Sequence, residues 1–159
     1  MIKVTFITLG KLKEKYLREA VLEYEKRLSR YCDFETVELE PIKLSDSPSR
    51  AQIESALEKE AEMILKKIPK NSEVFALCVE GKHFSSEEFA EKVENLSQQG
   101  RGITFIIGSS YGLSEQVKAA AKTRLSVSKM TFPHQLFRVM LLEQVYRAFK
   151  INEGSTYHK

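Results

Sequence analysis

Apolar runs of strand length alternate with amphipathic stretches of helix length along the whole chain. Ile2 to Thr8 reads as a buried strand, and Lys13 to Ser29 as a helix with Leu17, Ala20, Val21, Tyr24 and Leu28 on one stripe. Phe34 to Leu39 is a weaker strand. In the linker PIKLSDSPS, Ser47 and Pro48 suit an N-cap and first turn, and the helix they open runs to about Ile68. Its apolar side carries Ile53, Leu57, Ala61, Ile64 and Leu65.

The second half repeats the alternation with stronger strands. Val74 to Val79 (VFALCV) is continuously apolar, as strands buried on both faces are. Ser85-Ser86-Glu87-Glu88 then supplies a capping box for a third helix. Ile103 to Ile107 is another buried strand, followed by Gly108-Ser109-Ser110-Tyr111-Gly112 and a helix beginning near Leu113 or Ser114. Arg124 to Ser128 is the last strand, and Pro133 fits the first position of a long helix carrying Leu136, Val139, Met140, Leu142, Val145 and Phe149. The alternation predicts an α/β fold, a mainly parallel sheet with helices on both faces. With no internal repeat or low-complexity run, residues 1–159 are expected to form a single domain. Ligands of such sheets lie beyond the carboxyl ends of the strands. Three successive strands here end in Glu80-Gly81-Lys82, the Gly108 loop and the Lys129 loop. If those ends converge, they form one pocket.

Composition sharpens this picture in three ways. A chain of 159 residues, 42% hydrophobic and 30% charged, supports one core and is wrong for a disordered or fibrous protein. The formal charge is +3, yet residues 122–159 hold seven Lys or Arg against Glu143 and Glu153, a net +5. A polyanion-facing surface needs such asymmetry, although a solvated helix face gives the same count. Cys32 and Cys78 stand alone among apolar neighbours, as reduced core thiols do, and MIKVTFITLG offers neither a signal peptide nor a span. The chain therefore reads as cytoplasmic, with no membrane association.

His83, His134 and His158 occupy separate segments without paired Cys/His spacing, so no metal site is expected. Gly108 to Gly112 matches G-x-S-x-G between a strand and a helix, which raises a serine hydrolase as one alternative. Against it, no Asp follows Asp46, and the helix begins too late for Ser110 to sit at the junction. His134 lies at a helix N-terminus, where the dipole disfavours imidazolium, and a neutral, hydrogen-bonded structural role is expected. The last helix is apolar nearly all round, which predicts core burial plus a homodimer interface. The terminal Tyr157, His158 and Lys159 can stack, titrate and meet phosphate, which is unusual for a chain end.

Three stretches carry a resemblance: TLGKLKEKYLREAVLEYEKRL, FIIGSSYGL, and LSVSKMTFPHQLFRVMLLEQVYRAFKI with its terminal YHK. Together they make the chain similar, over essentially its whole length, to the bacterial ribosomal large subunit methyltransferase H family. The resemblance implies a SPOUT-class fold with a C-terminal trefoil knot, a topology that general rules of chain connection would not have produced. It implies methyl transfer from S-adenosylmethionine to N3 of pseudouridine 1915 in 23S rRNA, on assembled ribosomes. Carried over position by position, it implies a cofactor pocket lined by Leu77, Gly108, Val127, Ser128, Lys129, Met130, Thr131 and Phe132. Ser109 stands where many relatives have a second glycine.

Methyl transfer from a sulfonium is an in-line displacement in which positioning dominates, and the N3 proton must also leave. His158 is the expected proton acceptor, Tyr157 a stacking or hydrogen-bonding group, and Arg138 and Arg147 the cations for phosphate or ring charge. In a homodimer, one subunit would bind cofactor while the other's tail positions RNA. The remaining alternative is a non-catalytic ribosome-binding factor.

Overall fold

The computed structural model describes residues 1–159, with five strands and five helices in strict alternation. They are β1 (Ile2–Leu9), α1 (Lys15–Leu28), β2 (Cys32–Leu39), α2 (Arg50–Leu65), β3 (Ser72–His83), α3 (Ser86–Gln98), β4 (Gly102–Ile107), α4 (Glu115–Ala120), β5 (Thr123–Ser126) and α5 (His134–Asn152). All strand pairs are parallel and the order is β2-β1-β4-β3-β5. The expected α/β class holds, and the sheet is wholly parallel.

The helices divide by the direction of each crossover. Steps in one direction along the sheet carry α1 and α3, which pack with α5 on one face; the opposite steps carry α2 and α4, which pack together on the other. A constant hand of crossover requires this alternation of direction with face. Each face has its own core. Beneath α1, α3 and α5, Phe105 is fully buried and meets Phe6, Phe75 and Phe89 at centroid distances of 5.4, 5.3 and 6.0 Å. On the other face Ile7, Ile106, Ala61, Ile64 and Val117 close a smaller core. Burying each large side chain contributes about 1.5–3 kcal/mol.

Capping accounts for the main shift in element boundaries. The second helix starts at Arg50 rather than at Pro48, because Ser49 and Gln52 form a reciprocal capping box. Ser49 Oγ accepts from the Gln52 N–H, and the Gln52 carbonyl Oε1 accepts from the Ser49 N–H, so two orphan amides are satisfied at once. Ser47 offers no such pair. The box expected at Ser85 and Glu88 forms as read. Pro133 stands one place outside α5 as its N-cap.

β3 is longer and β5 shorter than the apolar runs predicted. β3 pairs with β5 through Leu77, breaks register, and pairs again at Lys82 and His83. In the gap lies Gly81, where an added Cβ would stand 2.7 Å from the Arg124 carbonyl carbon and oxygen and 2.8 Å from that of Leu125. The backbones of β3 and β5 therefore touch where only glycine permits it. Gly81→Ala is expected to destabilise the protein by about 1–3 kcal/mol, as overpacking against backbone does. Urea unfolding of the two proteins measures it, and equal midpoints would contradict the close approach.

Candidate active site

The carboxyl ends of β3, β4 and β5 open into one cleft of about 620 Å³. From β3 come Leu77 to Glu80, from the loop after β4 Gly108 to Leu113, and from β5 and the following loop Leu125 to Ser128 with Met130 to Pro133. α5 completes the wall with His134 and Phe137. Of the eight residues expected to line a cofactor pocket, Leu77, Gly108, Val127, Ser128, Met130, Thr131 and Phe132 are here. Lys129 is not among the lining residues and lies exposed on the same loop.

Two local devices shape the cleft. Gly108 is pressed against the return of its own loop: an added Cβ would stand 2.4 Å from the Gly112 carbonyl oxygen. Gly112 takes φ +82°, and its N–H donates to the Ser109 carbonyl at 2.9 Å, closing a tight turn. After β5, Ser126 Oγ donates to the Ser128 carbonyl at 3.0 Å and the Met130 N–H donates to Ser128 Oγ at 2.9 Å. The loop thus holds its own shape while Met130 stays 75% exposed.

Charged groups around the cleft are mostly paired. Lys118 of α4 contacts Glu80, and that contact holds the Glu80 carboxyl below the usual carboxylate range. Behind the glycine loop, Glu60 of α2 is buried; it accepts from the Ile42 N–H at 3.0 Å and the Ser109 hydroxyl at 3.4 Å. Burial raises its pKa, and the two donors oppose the rise. Ser109 is therefore tied to a neighbouring helix.

Ser110 is exposed and joined to no histidine by a hydrogen bond. α4 begins only at Glu115, capped by the Ser114 hydroxyl, so Ser110 lacks the strand-to-helix junction of a nucleophile elbow. The G-x-S-x-G match is a turn.

The structure does not bring the tail residues into the cleft of their own chain. Tyr157 donates its hydroxyl to Glu143 Oε2 at 2.9 Å and packs edge-on against Tyr146 at 5.2 Å. Burial and the Glu143 contact raise its pKa, keeping the phenol protonated. Arg147 lies 4.8 Å over the Tyr157 ring, pairs with Glu143 at 2.7 Å, and donates to His158 Nδ1 at 3.1 Å. His158 Nε2–H then donates to Glu87 at 2.7 Å. Both ring nitrogens of His158 are thereby engaged within the chain. Arg138 is buried against Glu38 at 3.1 Å, beneath α1, and is separated from the tail cluster.

Glu143 and Glu87 were not singled out from the sequence, although they organise the tail. The i,i+4 spacing of Glu143 and Arg147 was a readable signal. The contact from Glu87 to His158 spans 71 residues and had none. The basic C-terminal quarter also changes character, since Arg124, Arg138, Arg147 and Lys150 all have carboxylate partners.

Comparison with known proteins agrees with this geometry. A family model described as "Predicted SPOUT methyltransferase" matches residues 2–158. Ribosomal RNA large subunit methyltransferase H of Clostridium beijerinckii is 54% identical over 157 residues, covering 98% of this chain and 99% of that protein. The proteins of that name from Clostridium acetobutylicum and Streptococcus thermophilus (strain CNRZ 1066) are 53% identical over 157 residues and 50% over 158. Each match covers 99% of the relative and at least 98% of this chain. With a family model spanning all but its terminal residues, this chain belongs to the SPOUT methyltransferase family.

Proposed function

We propose that this protein methylates 23S rRNA in the ribosome at N3 of pseudouridine 1915, with S-adenosylmethionine as donor. The single observation that carries the reading is the cleft in which Leu77, Gly108 and Met130, from three strand ends, share one wall. Full-length relatives named ribosomal RNA large subunit methyltransferase H support the substrate class. An enzyme with this substrate works where ribosomes are, in the cytoplasm. No helix of the structure is long and apolar enough to cross a membrane.

The lining suits such a donor. Gly108 lets its loop fold back tightly where a Cβ would strike the Gly112 carbonyl, Leu77, Leu125, Val127 and Phe137 supply apolar walls, and Ser128 and Thr131 supply hydroxyls. The bound donor supplies an electrophilic methyl on a sulfonium. Leu77, Gly108, Val127, Ser128, Met130, Thr131 and Phe132 hold it in this reading, with Lys129 on the rim of the same loop. The threading of a trefoil knot belongs to the proposal too, on the strength of the family to which the chain belongs.

RNA is met by the tail, where Tyr157 and His158 are held by Glu143, Arg147 and Glu87. Arg147 and Lys159 offer charge there, whereas the buried Arg138 fixes α5 against β2. A homodimer fits the uncovered apolar side chains of α1 and α5, with Tyr16 67%, Leu22 63% and Leu136 37% exposed. In it, the tail of one subunit serves the cleft of the other.

Two measurements test the reading. Calorimetry with S-adenosylmethionine is expected to show binding that Gly108→Ala weakens about tenfold or more, some 1.4 kcal/mol; undiminished affinity would move the donor elsewhere. Deleting Tyr157 to Lys159 is expected to abolish tritium-methyl transfer to ribosomes while leaving donor affinity within about threefold. Full activity in that truncation removes the tail from the mechanism.

A further inference from the structure

The cleft shares a wall with a second cavity of about 300 Å³. Ser109, Ser110, Tyr111 and His134 line both. The second cavity adds apolar Ile42, Ile53 and Leu57, the buried Glu60, and Lys11 and Lys13 from the loop after β1. Apolar surface for a base, hydroxyls, and two ammonium groups for phosphate are what a nucleotide needs. A methyltransferase also needs donor and acceptor sites that touch, and these two cavities do.

At the junction stands His134, the first residue of α5. Its place is fixed by the next residue, because the Lys13 N–H donates to Gln135 Oε1 at 3.0 Å and ties the helix start to the loop after β1. The imidazole is half-buried and makes no hydrogen bond within the chain. His158, by contrast, has both nitrogens engaged, and the Tyr157 hydroxyl is committed to Glu143.

We propose that His134 is the proton acceptor of the reaction, taking the N3 proton from an acceptor base lodged in the second cavity. This rests on the reading of the larger cleft as the donor site. N3 uses its electron pair to bond the methyl carbon, the carbon–sulfur bond breaks with its pair going to sulfur, and the N3 proton passes to the imidazole. The imidazolium afterwards releases that proton to solvent, and the sulfonium charge ends as that released proton.

The surroundings keep the ring in its accepting form. Burial is the largest cause of a lowered pKa, followed by the charges of Lys13 and Arg138. The positive end of α5 acts in the same direction. Lys11 and Glu60 are the other charged groups lining the cavity, and burial favours the protonated form of Glu60. A lowered pKa means that the neutral base is present at pH 7 and is lost only as pH falls below the ordinary histidine value of about 6.5.

The test compares wild type with His134→Gln by calorimetry with S-adenosylmethionine, by tritium-methyl transfer to ribosomes across pH, and by imidazole NMR titration of the free protein. His134 is assigned in wild type by elimination, using His83→Gln and His158→Gln. The expected result is a fall in kcat of about 100-fold or more in His134→Gln with donor affinity within about threefold. Its residual rate should climb about tenfold per pH unit where wild type is flat, because hydroxide must then remove the proton. In wild type the acid limb of kcat and the His134 NMR titration should both lie below about 6.5. A kcat within about threefold of wild type, an unchanged pH profile, or a His134 titration at or above that value overturns the proposal. Should the glutamine variant not fold, the wild-type titration and acid limb decide alone. Wild type that binds no S-adenosylmethionine overturns the donor-site reading itself, a failure visible before any variant is made.

Discussion

Three strand ends share one cleft because at two places no side chain stands between backbones. At Gly81, β3 crosses β5 with room for hydrogen but not for carbon, and at Gly108 the loop after β4 folds onto Gly112 as closely. These contacts stabilise nothing by themselves; they remove an obstacle. Once it is gone, β3 pairs with β5 on both sides of the gap and the Ser126 to Phe132 loop lies beside Leu77 and Gly108. A parallel sheet makes such a concavity wherever neighbouring strands send their helices to opposite faces. Here β4 leads to α4 on one face and its neighbour β3 to α3 on the other. Connectivity permits the cleft, and the two glycines permit the close backbone contacts beside it.

Charge was the weaker guide. A net +5 over the last 38 residues invites a picture of a broad basic surface, yet four of its seven cations are paired. What remains is local. Glu143 gathers Arg147 and Tyr157, Arg147 reaches His158, and Glu87 closes the chain from another helix. Partly exposed ion pairs of this kind contribute little stability each, about 0–1 kcal/mol. Their effect is to hold the ring of Tyr157 and the imidazole of His158 in one geometry, and ordering in advance is what a contact surface requires.

The sequence carried most of the fold and part of the site. Apolar periodicity located every strand, since VFALCV is apolar throughout and ITFII is broken only by Thr104, and the Ser85 box was readable from four residues. Seven of the eight residues that the resemblance supplied line the cleft, and the strand-end rule had already selected their loops. What escaped reading depends on distance along the chain. The pair of Arg138 with Glu38 spans 100 residues, and no periodicity announces that an arginine on an apolar helix has a buried carboxylate waiting. Ser47 and Ser49 look alike until Gln52 chooses between them. The helix dipole points His134 to a neutral, hydrogen-bonded structural role, but its ring has no hydrogen bond within the chain, and the two cavities that meet beside it give it a different context.

α5 also decides how the tail can act. It is one unbroken helix from His134 to Asn152, and at about 1.5 Å rise per residue Arg147 lies roughly 20 Å from His134 along its axis. His158 rests on Arg147 at 3.1 Å, so in one protomer the tail and the cleft mouth stand at different levels of the same rod. No single base touches both, and the helix cannot bend to bring them together while Leu141, Leu142, Val145 and Ala148 remain buried beneath it. If His134 and the tail serve the same nucleotide, the tail must come from a second copy whose α5 runs the opposite way. The alternative is a tail that grips RNA flanking the target within one subunit. The length of α5 and the burial of its inner face therefore keep the tail from the cleft mouth of its own chain, each for its own physical reason.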